Sequence, residues 1–217
     1  MLVNGPVLKK ALPVAFLATF AALPANGMDF LLQGTSEPSI LAKGPIIRGD
    51  VGRLRTLLAR RSRPSVIYFA SNGGDAAEGI SLGYLLRETG MGTKIGASES
   101  CASACVFAFL GGVIREVHPT ARLGVHMTSR MFVDEYIQRL KQVLLAPTTE
   151  LTIDDKIRVI VALNEQNAAQ FANAEVRYVL KMGVSLRLLE KATESLQFDI
   201  HWLTRSEMRD YNVTNTE

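Results

Sequence analysis

Apolar residues are grouped along the chain in two ways, as short continuous runs and as runs with helical spacing. The continuous run lies at residues 65–70, and further short strands are predicted at 91–97, 113–117 and 123–127. Runs of this length are typical of strands buried on both faces of a parallel sheet. Residues 76–89 instead carry apolar side chains at helical spacing, and a second apolar helix is expected after Ser103. Strands and helices that alternate with short connections predict right-handed βαβ units.

The segments before this region carry weaker signals. Residues 28–43 have a mixed pattern, within which Gly34–Pro38 is predicted to form a loop. A short strand is expected at Pro45–Gly49, and the leucine spacing over Val51–Arg61 predicts a helix.

After His126 the pattern becomes helical and amphipathic. The predicted helices lie at residues 131–144, 152–182 and 186–194. Thr204 is followed three residues later by Glu207, which is a capping box and predicts a short last helix. The expected architecture is therefore α/β with a helical C-terminal portion.

The N-terminal segment resembles a secretory signal peptide. Lys9 and Lys10 precede an apolar run over Ala11–Ala22, and Ala25–Gly27 supplies small residues for cleavage. We therefore expect a signal peptide at 1–27, a single domain at 28–217, and a periplasmic or secreted protein. An uncleaved membrane anchor and a buried helix are the alternatives.

Composition and charge narrow the function classes. The chain has 217 residues, of which 47% are hydrophobic and 21% charged, as in an ordinary globular domain. Without Lys9 and Lys10 it carries 22 basic and 21 acidic residues, a net charge of +1. A nearly neutral chain gives no electrostatic reason to expect nucleic acid or an anionic membrane as a partner.

The chain has two cysteines, Cys101 and Cys105. Export would permit a disulfide between them. A four-residue separation is awkward inside a helix and becomes feasible if Cys101 precedes the helix. A buried pair of thiols is the alternative. Two cysteines and three scattered histidines lack the paired spacing of a zinc site, so no metal and no cofactor are expected.

Three features could together carry acyl transfer, which needs a nucleophile, a base and oxyanion donors. Ser103 stands between small residues at a helix start, where a helix cap is the ordinary role. Gly73 and Gly74 follow a buried strand and could turn backbone N–H groups toward a ligand, with Ala104 as a second donor. His126 ends a predicted strand, where a structural role is the alternative.

The segments 71–75 (SNGGD), 101–105 (CASAC) and 124–126 (GVH) together resemble the proteolytic subunit of Clp protease and its crotonase-like superfamily. The Cys-Ala-Ser-Ala-Cys core is similar to that of exported bacterial Clp-like proteins. This resemblance extends from about Pro45 to Val213. It implies a ClpP/crotonase-like spiral of ββα units.

The same resemblance implies roles for individual residues. Ser103 would be the nucleophile and His126 the general base, with the oxyanion hole formed by Gly73, Gly74 and Ala104. Asp199 is the nearest candidate for the third triad member, although it stands one residue out of register. The competing carboxylates are Asp134, Asp154 and Asp155.

The sequence also departs from the Clp pattern. Met127 follows the histidine where the Clp subunit carries Gln-Pro, and a leader replaces the loop that meets the unfoldase. We therefore expect a serine peptidase or hydrolase that acts on peptides or proteins, self-associates, and has no ATPase partner. The alternatives are an inactive Clp-like binding or scaffold protein, a crotonase-type acyl-CoA enzyme, and a Ser-Lys dyad using Lys94.

Overall fold

The structure is a computed structural model that describes residues 27–59, 64–129, 134–147, 151–196 and 198–216. Nearly all of the predicted leader lies outside these residues. The strands are β1 (Asp29–Gln33), β2 (Ser39–Lys43), β3 (Val66–Ala70), β4 (Gly92–Ile95), β5 (Ser100–Ala102), β6 (Arg115–Val117), β7 (Arg122–Val125) and β8 (His201–Trp202). The helices are α1 (Asp50–Leu58), α2 (Ala76–Thr89), α3 (Ala104–Leu110), α4 (Asp134–Leu145), α5 (Ile153–Lys181), α6 (Arg187–Glu194) and α7 (Arg205–Asp210).

The strands form two sheets. The larger has the order β1-β2-β3-β4-β6, and all its pairings are parallel except that of the edge strand β1. The smaller has the order β5-β7-β8, with β5 and β7 parallel and β8 antiparallel. A bridge between Ser71 and Cys101 joins the end of β3 to β5. The expected α/β class and the parallel sheet are therefore confirmed.

Helices α2 and α3 cross closely behind the smaller sheet. A side chain on Gly79 would meet the Ala104 carbonyl oxygen at 2.4 Å, and one on Gly111 would meet the Gly83 carbonyl oxygen at 2.1 Å. Only glycine allows helix backbones to approach so closely. Every residue of α3 is buried, so this helix is fixed in the core.

The contacts that anchor the C-terminal half to this core include those of Tyr178 and Arg115. The Tyr178 hydroxyl of α5 donates a hydrogen bond to the Phe107 carbonyl oxygen of α3. Arg115, only 2% exposed, donates to the Val213 and Asn212 carbonyl oxygens, both at 2.8 Å. Burial, together with the charge of Arg87, lowers the Arg115 pKa to about 10. Arg115 thus fastens the chain's last segment to β6.

One prediction for the N-terminal third was wrong, because the predicted strand Pro45–Gly49 is a single bridge at Ile46 followed by a turn. The loop Gly34–Pro38 is confirmed, but the strands β1 and β2 that it connects were not predicted. Edge strand β1 exposes Leu31 and Leu32, and this hides the in-out alternation by which strands are found.

Several other boundaries were confirmed. α2 spans the predicted residues 76–89, because Asp75 caps its first turn and Gly90 ends it with a φ of 70°. The Thr204–Glu207 capping box opens α7 as predicted. Within the residues described above, no helix is long and apolar enough to cross a membrane.

Candidate active site

Ser103 occupies a strained turn between a strand and a helix. β5 ends at Ala102 and α3 begins at Ala104, and Ser103 itself has φ 57° and ψ −128°. Its backbone N–H donates to the Gly124 carbonyl oxygen of β7 at 3.0 Å. A residue with a side chain held at such angles stores about 1–3 kcal/mol of strain, which is commonest at active sites. A strand, a strained serine and a helix in succession are typical of a nucleophile elbow.

Cys101 and Cys105 bracket this turn and are joined by a disulfide with an S–S distance of 2.03 Å. The bridge links β5 to the first turn of α3, and both cysteines are fully buried. Ala102 and Ala104 are also buried, whereas Ser103 is half-buried. The serine is therefore the accessible residue of a turn that is otherwise held in the core.

The glycine turn after β3 lies directly against Ser103. A side chain on Gly73 would meet the Ser103 Cβ and the Ala102 carbonyl oxygen at 2.7 Å, and the Ala104 nitrogen at 2.9 Å. Gly73 has a φ of 99°, which also favours glycine. The structure thus brings together the predicted nucleophile and the predicted oxyanion turn.

Some backbone donors in this region have no acceptor. The N–H groups of Gly74 and Ala104 make no hydrogen bond within the described parts of the chain. The Gly73 N–H, in contrast, donates to the buried Ser71 Oγ at 3.1 Å. Unpaired N–H groups beside a serine hydroxyl are what an oxyanion requires.

His126 follows β7, the strand that pairs in parallel with β5. The register places Ala102 opposite Gly124, so Ser103 and His126 both follow the carboxyl ends of neighbouring strands. The His126 Nδ1 lies 3.0 Å from the Met127 carbonyl oxygen. Because a carbonyl only accepts, this contact places the proton on Nδ1 and leaves Nε2 as an acceptor.

The structure has no hydrogen bond between Ser103 Oγ and His126, both of which it describes. The contact of about 3.2 Å expected of a closed catalytic pair is therefore not formed in this state. In ligand-free enzymes such bonds are often long and tighten only with substrate.

Two contacts from distant helices hold the segment after His126. The Met127 N–H donates to the Ser195 carbonyl oxygen at 2.9 Å, and Thr128 Oγ1 donates to Glu175 Oε1 at 2.6 Å. Burial raises the pKa of Glu175, although the hydrogen bond from Thr128 opposes it. Glu175 and Ser195 could not be predicted from the sequence, because no local motif surrounds them and only the fold brings them to this segment.

Asp199 does not contact His126. Its side chain is exposed, and no hydrogen bond or ion pair among the described residues joins it to the histidine. The next residue, Ile200, packs against β7, where its Cγ2 would meet a side chain on Gly124 at 2.4 Å. The Met127 carbonyl therefore occupies the place on Nδ1 that a triad carboxylate would take.

The competing carboxylates give no better third member. Asp155 belongs to the capping box with Thr152, and hydrogen bonds from Thr152 lower its pKa. Asp154 is exposed on α5, and the side chain of Asp134 lies outside the described part of the chain.

The other candidate bases are engaged elsewhere. Lys94 Nζ lies 2.7 Å from Glu116 Oε2, and the hydrogen bond to Glu116 raises the Lys94 pKa. A lysine held in its charged form cannot accept the proton of a serine, so the Ser-Lys dyad has no support. His118 bonds to Thr120, and His201 pairs with Glu207 at 3.0 Å. The described residues contain no cluster of three or more acidic, histidine or cysteine side chains able to hold a metal.

A cavity of about 520 Å³ opens beside the glycine turn. Its lining includes Gly73 and Gly74, together with Lys43, Asn72 and Glu99. Ser103, Ala104 and His126 are not among the residues that line it, so the cavity borders the glycine turn and not the serine itself.

Comparison with known proteins identifies solved structures with a similar fold. No protein-family model and no curated protein matches the sequence. Among solved structures, the chain is similar to a mutant of ClpP1 from Listeria monocytogenes, with a TM-score of 0.53 and 18% identity, over 81% of this chain and 88% of that one. ClpP1 from Listeria monocytogenes gives a TM-score of 0.48 at the same identity and coverage.

The first of these similarities shows that the chain has a Clp-like α/β fold, as the sequence analysis expected. At this level of identity the fold is what the comparison establishes. Activity has to be argued from the site itself.

Proposed function

We propose that this protein is an exported serine hydrolase of the Clp type, acting as a peptidase through an acyl-enzyme on Ser103. The observation that carries the proposal is the strained Ser103 turn packed against Gly73, beside the unpaired N–H of Ala104. A serine that served only as a helix cap would accept a hydrogen bond from the first turn of α3, and Ser103 makes no such bond.

In this mechanism His126 Nε2 accepts the proton of Ser103 as its Oγ attacks the carbonyl carbon of a peptide bond. The Met127 carbonyl oxygen holds the Nδ1 proton and so fixes the tautomer. The Ala104 N–H and the glycine turn stabilise the oxyanion. The protonated histidine then protonates the leaving amine, and water hydrolyses the acyl-enzyme by the same steps.

Two features support export, although the leader itself lies outside the described residues. The leader pattern precedes Met28, the start of the folded region. The Cys101–Cys105 disulfide is of a kind that persists in oxidising compartments. Because such compartments lack ATP, we propose that the enzyme works without an ATPase partner.

We also propose that the protein self-associates through α4 and α5. In the single chain these helices expose large apolar side chains, among them Val143, Leu145, Ile153, Ile157, Val161 and Leu163. Exposed large apolar side chains on two neighbouring helices are typical of interaction surfaces. Light scattering of the purified protein should give a mass at a multiple of the chain mass, and a monomer at high concentration would reject the idea.

A fluorophosphonate probe tests the proposed activity. We expect the wild-type protein to form a covalent adduct that peptide mapping places on Ser103. Ser103→Ala should abolish the adduct, and His126→Ala should slow its formation by at least about 10³-fold. His118→Ala is the matched control, because His118 lies in an exposed turn and bonds to Thr120.

A specific observation also favours a second candidate, an inactive Clp-like binding protein. Ser103 Oγ and His126 share no hydrogen bond, and no carboxylate contacts the histidine among the described residues. A correctly folded wild-type protein that never reacts with the probe would establish this alternative over the hydrolase.

A further inference from the structure

Asp50 is a fully buried carboxylate that the proposed mechanism does not use. It lies at the start of α1 with 0% exposure. Its Oδ2 accepts the Ile47 N–H at 2.8 Å and the Met28 N–H at 3.4 Å. Its Oδ1 pairs with Arg53, whose side chain is 48% exposed. A buried carboxylate is stable only when charges and donors surround it, so these partners are the reason it can remain ionised.

Met28 is also the first residue after the expected cleavage point. Water that hydrolyses the Gly27–Met28 bond leaves a carboxylate on the leader and an α-ammonium on Met28. The peptide N–H has one proton to donate, whereas the ammonium has three and a positive charge. Since Met28 is only 1% exposed and its nitrogen already faces Asp50, the new charge would appear beside a buried carboxylate.

We propose that the mature chain begins at Met28 and that its α-ammonium forms a buried ion pair with Asp50. We further propose that this pair fixes the loop behind the glycine turn, so that processing of the leader sets the geometry of the oxyanion donors. The second half of this inference rests on the proposed hydrolase function, and the first half stands without it.

The loop between β2 and α1 connects Asp50 with the glycine turn. Ile46 precedes the Asp50-bound Ile47, and its N–H donates to the Gly73 carbonyl oxygen at 2.8 Å. Its carbonyl oxygen accepts the Asp75 N–H at 2.9 Å. A side chain on Gly74 would meet the same oxygen at 2.1 Å. The glycine turn is therefore built directly on the residue beside the Asp50 contact.

The charges around the loop favour an added cation. Glu78 of α2 accepts the N–H groups of Gly49 and Val51 at 3.0 and 2.8 Å. The loop is thus held by two carboxylates, Asp50 and Glu78, while Arg53 is half-exposed and able to turn toward solvent. An ammonium at Met28 would lie beside Asp50 Oδ2, in a position that solvent does not reach.

Gly27 is tightly packed in the uncleaved chain. A side chain there would meet Arg53 Nη2 at 2.1 Å and Ile47 Cγ1 at 2.4 Å. Removing Gly27 therefore frees space around the Arg53 guanidinium and allows the Asp50 carboxylate to pair with the Met28 ammonium. A chain that keeps Gly27 offers only a neutral N–H to the same carboxylate.

The test uses the full chain, leader included, exported from a bacterial host and purified. Intact mass and N-terminal sequencing give the first residue, and an amine-acylating reagent then reports how accessible its α-amine is. Pairing with a carboxylate raises the pKa of an amine by about one unit or more, which lowers its free-base fraction about tenfold. We expect acylation at Met28 to be at least about tenfold slower in the native protein than in denaturant.

Two variants distinguish the Met28–Asp50 ion pair from its effect on the glycine turn. Asp50→Asn should return the pH dependence of Met28 acylation to that of an ordinary α-amine and slow fluorophosphonate labelling of Ser103 by at least about tenfold. Asp29→Asn is the matched control, because Asp29 is the neighbouring carboxylate and is exposed. It should leave both rates unchanged. If Asp50→Asn does not fold, the pH dependence of acylation in the native wild-type protein still decides the ion pair, because burial alone slows acylation whereas pairing with the carboxylate raises the α-amine pKa.

A mature chain that begins elsewhere, or a Met28 amine that reacts equally fast in native and denatured protein, overturns the ion pair. A folded Asp50→Asn protein that labels at the wild-type rate overturns the link to the glycine turn. A Met28 amine with a raised pKa in a wild-type protein that never reacts with the probe upholds the ion pair and defeats the hydrolase proposal alone.

Discussion

Replacing Gly73 by alanine is predicted to disable Ser103 while leaving the rest of the fold in place. The new Cβ would lie 2.7 Å from both the Ala102 carbonyl oxygen and the Ser103 Cβ, and 2.9 Å from the Ala104 nitrogen. All three atoms belong to the buried turn that presents the nucleophile, so the turn itself has to shift. We expect the hydroxyl and the oxyanion donor to move together.

The expected effect of Gly73→Ala has two parts, a loss of stability and a loss of reactivity. Alanine at a φ of 99° costs about 1–3 kcal/mol of stability because of its positive backbone angle. Loss of one oxyanion donor lowers the rate by about 10²–10³-fold, which corresponds to about 3–4 kcal/mol of transition-state stabilisation. The second effect acts on reactivity alone.

Gly90→Ala separates these effects. Gly90 ends α2 with a φ of 70°, and a side chain there would meet nothing within 4 Å. Urea unfolding should show that both variants lose stability of similar order. Phosphonylation of Ser103, followed by mass spectrometry, should be slowed about 10²-fold or more in Gly73→Ala and remain unchanged in Gly90→Ala. A Gly73→Ala protein that labels at the wild-type rate would refute the role of the turn.

Three further predictions concern the groups around this turn. Asp199→Asn should change the labelling rate less than about twofold, whereas loss of a true triad carboxylate costs about 10⁴-fold; a loss of that size would restore Asp199 to the triad. The double variant Cys101→Ala, Cys105→Ala should lose about 2 kcal/mol of stability in urea unfolding, the entropy of so short a loop, and also label more slowly; unchanged labelling would limit the bridge to stability. Because burial raises the pKa of Glu175, the folded chain binds this proton more tightly than the unfolded chain, so its contribution to stability falls as pH rises from the ordinary carboxyl range through the raised pKa. Glu175→Gln should flatten that part of the stability curve above the ordinary carboxyl pKa of about 4.3, and an unchanged slope in urea unfolding would contradict the burial effect.

Elements with strong local signals could be predicted from the sequence. Helix α2 has an apolar face, a capping Asp75 and a terminal Gly90, and its bounds were predicted to the residue. The short strands β5 and β8 have three and two residues, and their pairing with β7 depends on contacts distant in sequence. No local pattern identifies such strands, so both were missed.

The same distinction applies to the site. Ser103, the glycine turn and His126 follow successive strand ends, and parallel pairing brings strand ends to one edge, so their proximity could be predicted. The group that orients His126 could not be predicted. It is the Met127 backbone carbonyl, which any residue at that position would supply, and its segment is held by Glu175 from a helix 47 residues beyond Thr128.

The most direct test of the central claim is a crystal structure of the protein with a peptide boronic acid, which mimics the tetrahedral intermediate. We predict a covalent bond from Ser103 Oγ to boron and one boron-bound oxygen within about 2.7–3.1 Å of both the Ala104 nitrogen and a nitrogen of the Gly73–Gly74 turn. His126 Nε2 should lie within hydrogen-bond distance of the adduct. A boronic acid that leaves Ser103 unmodified, or an adduct whose oxygens point away from these donors, would contradict the account.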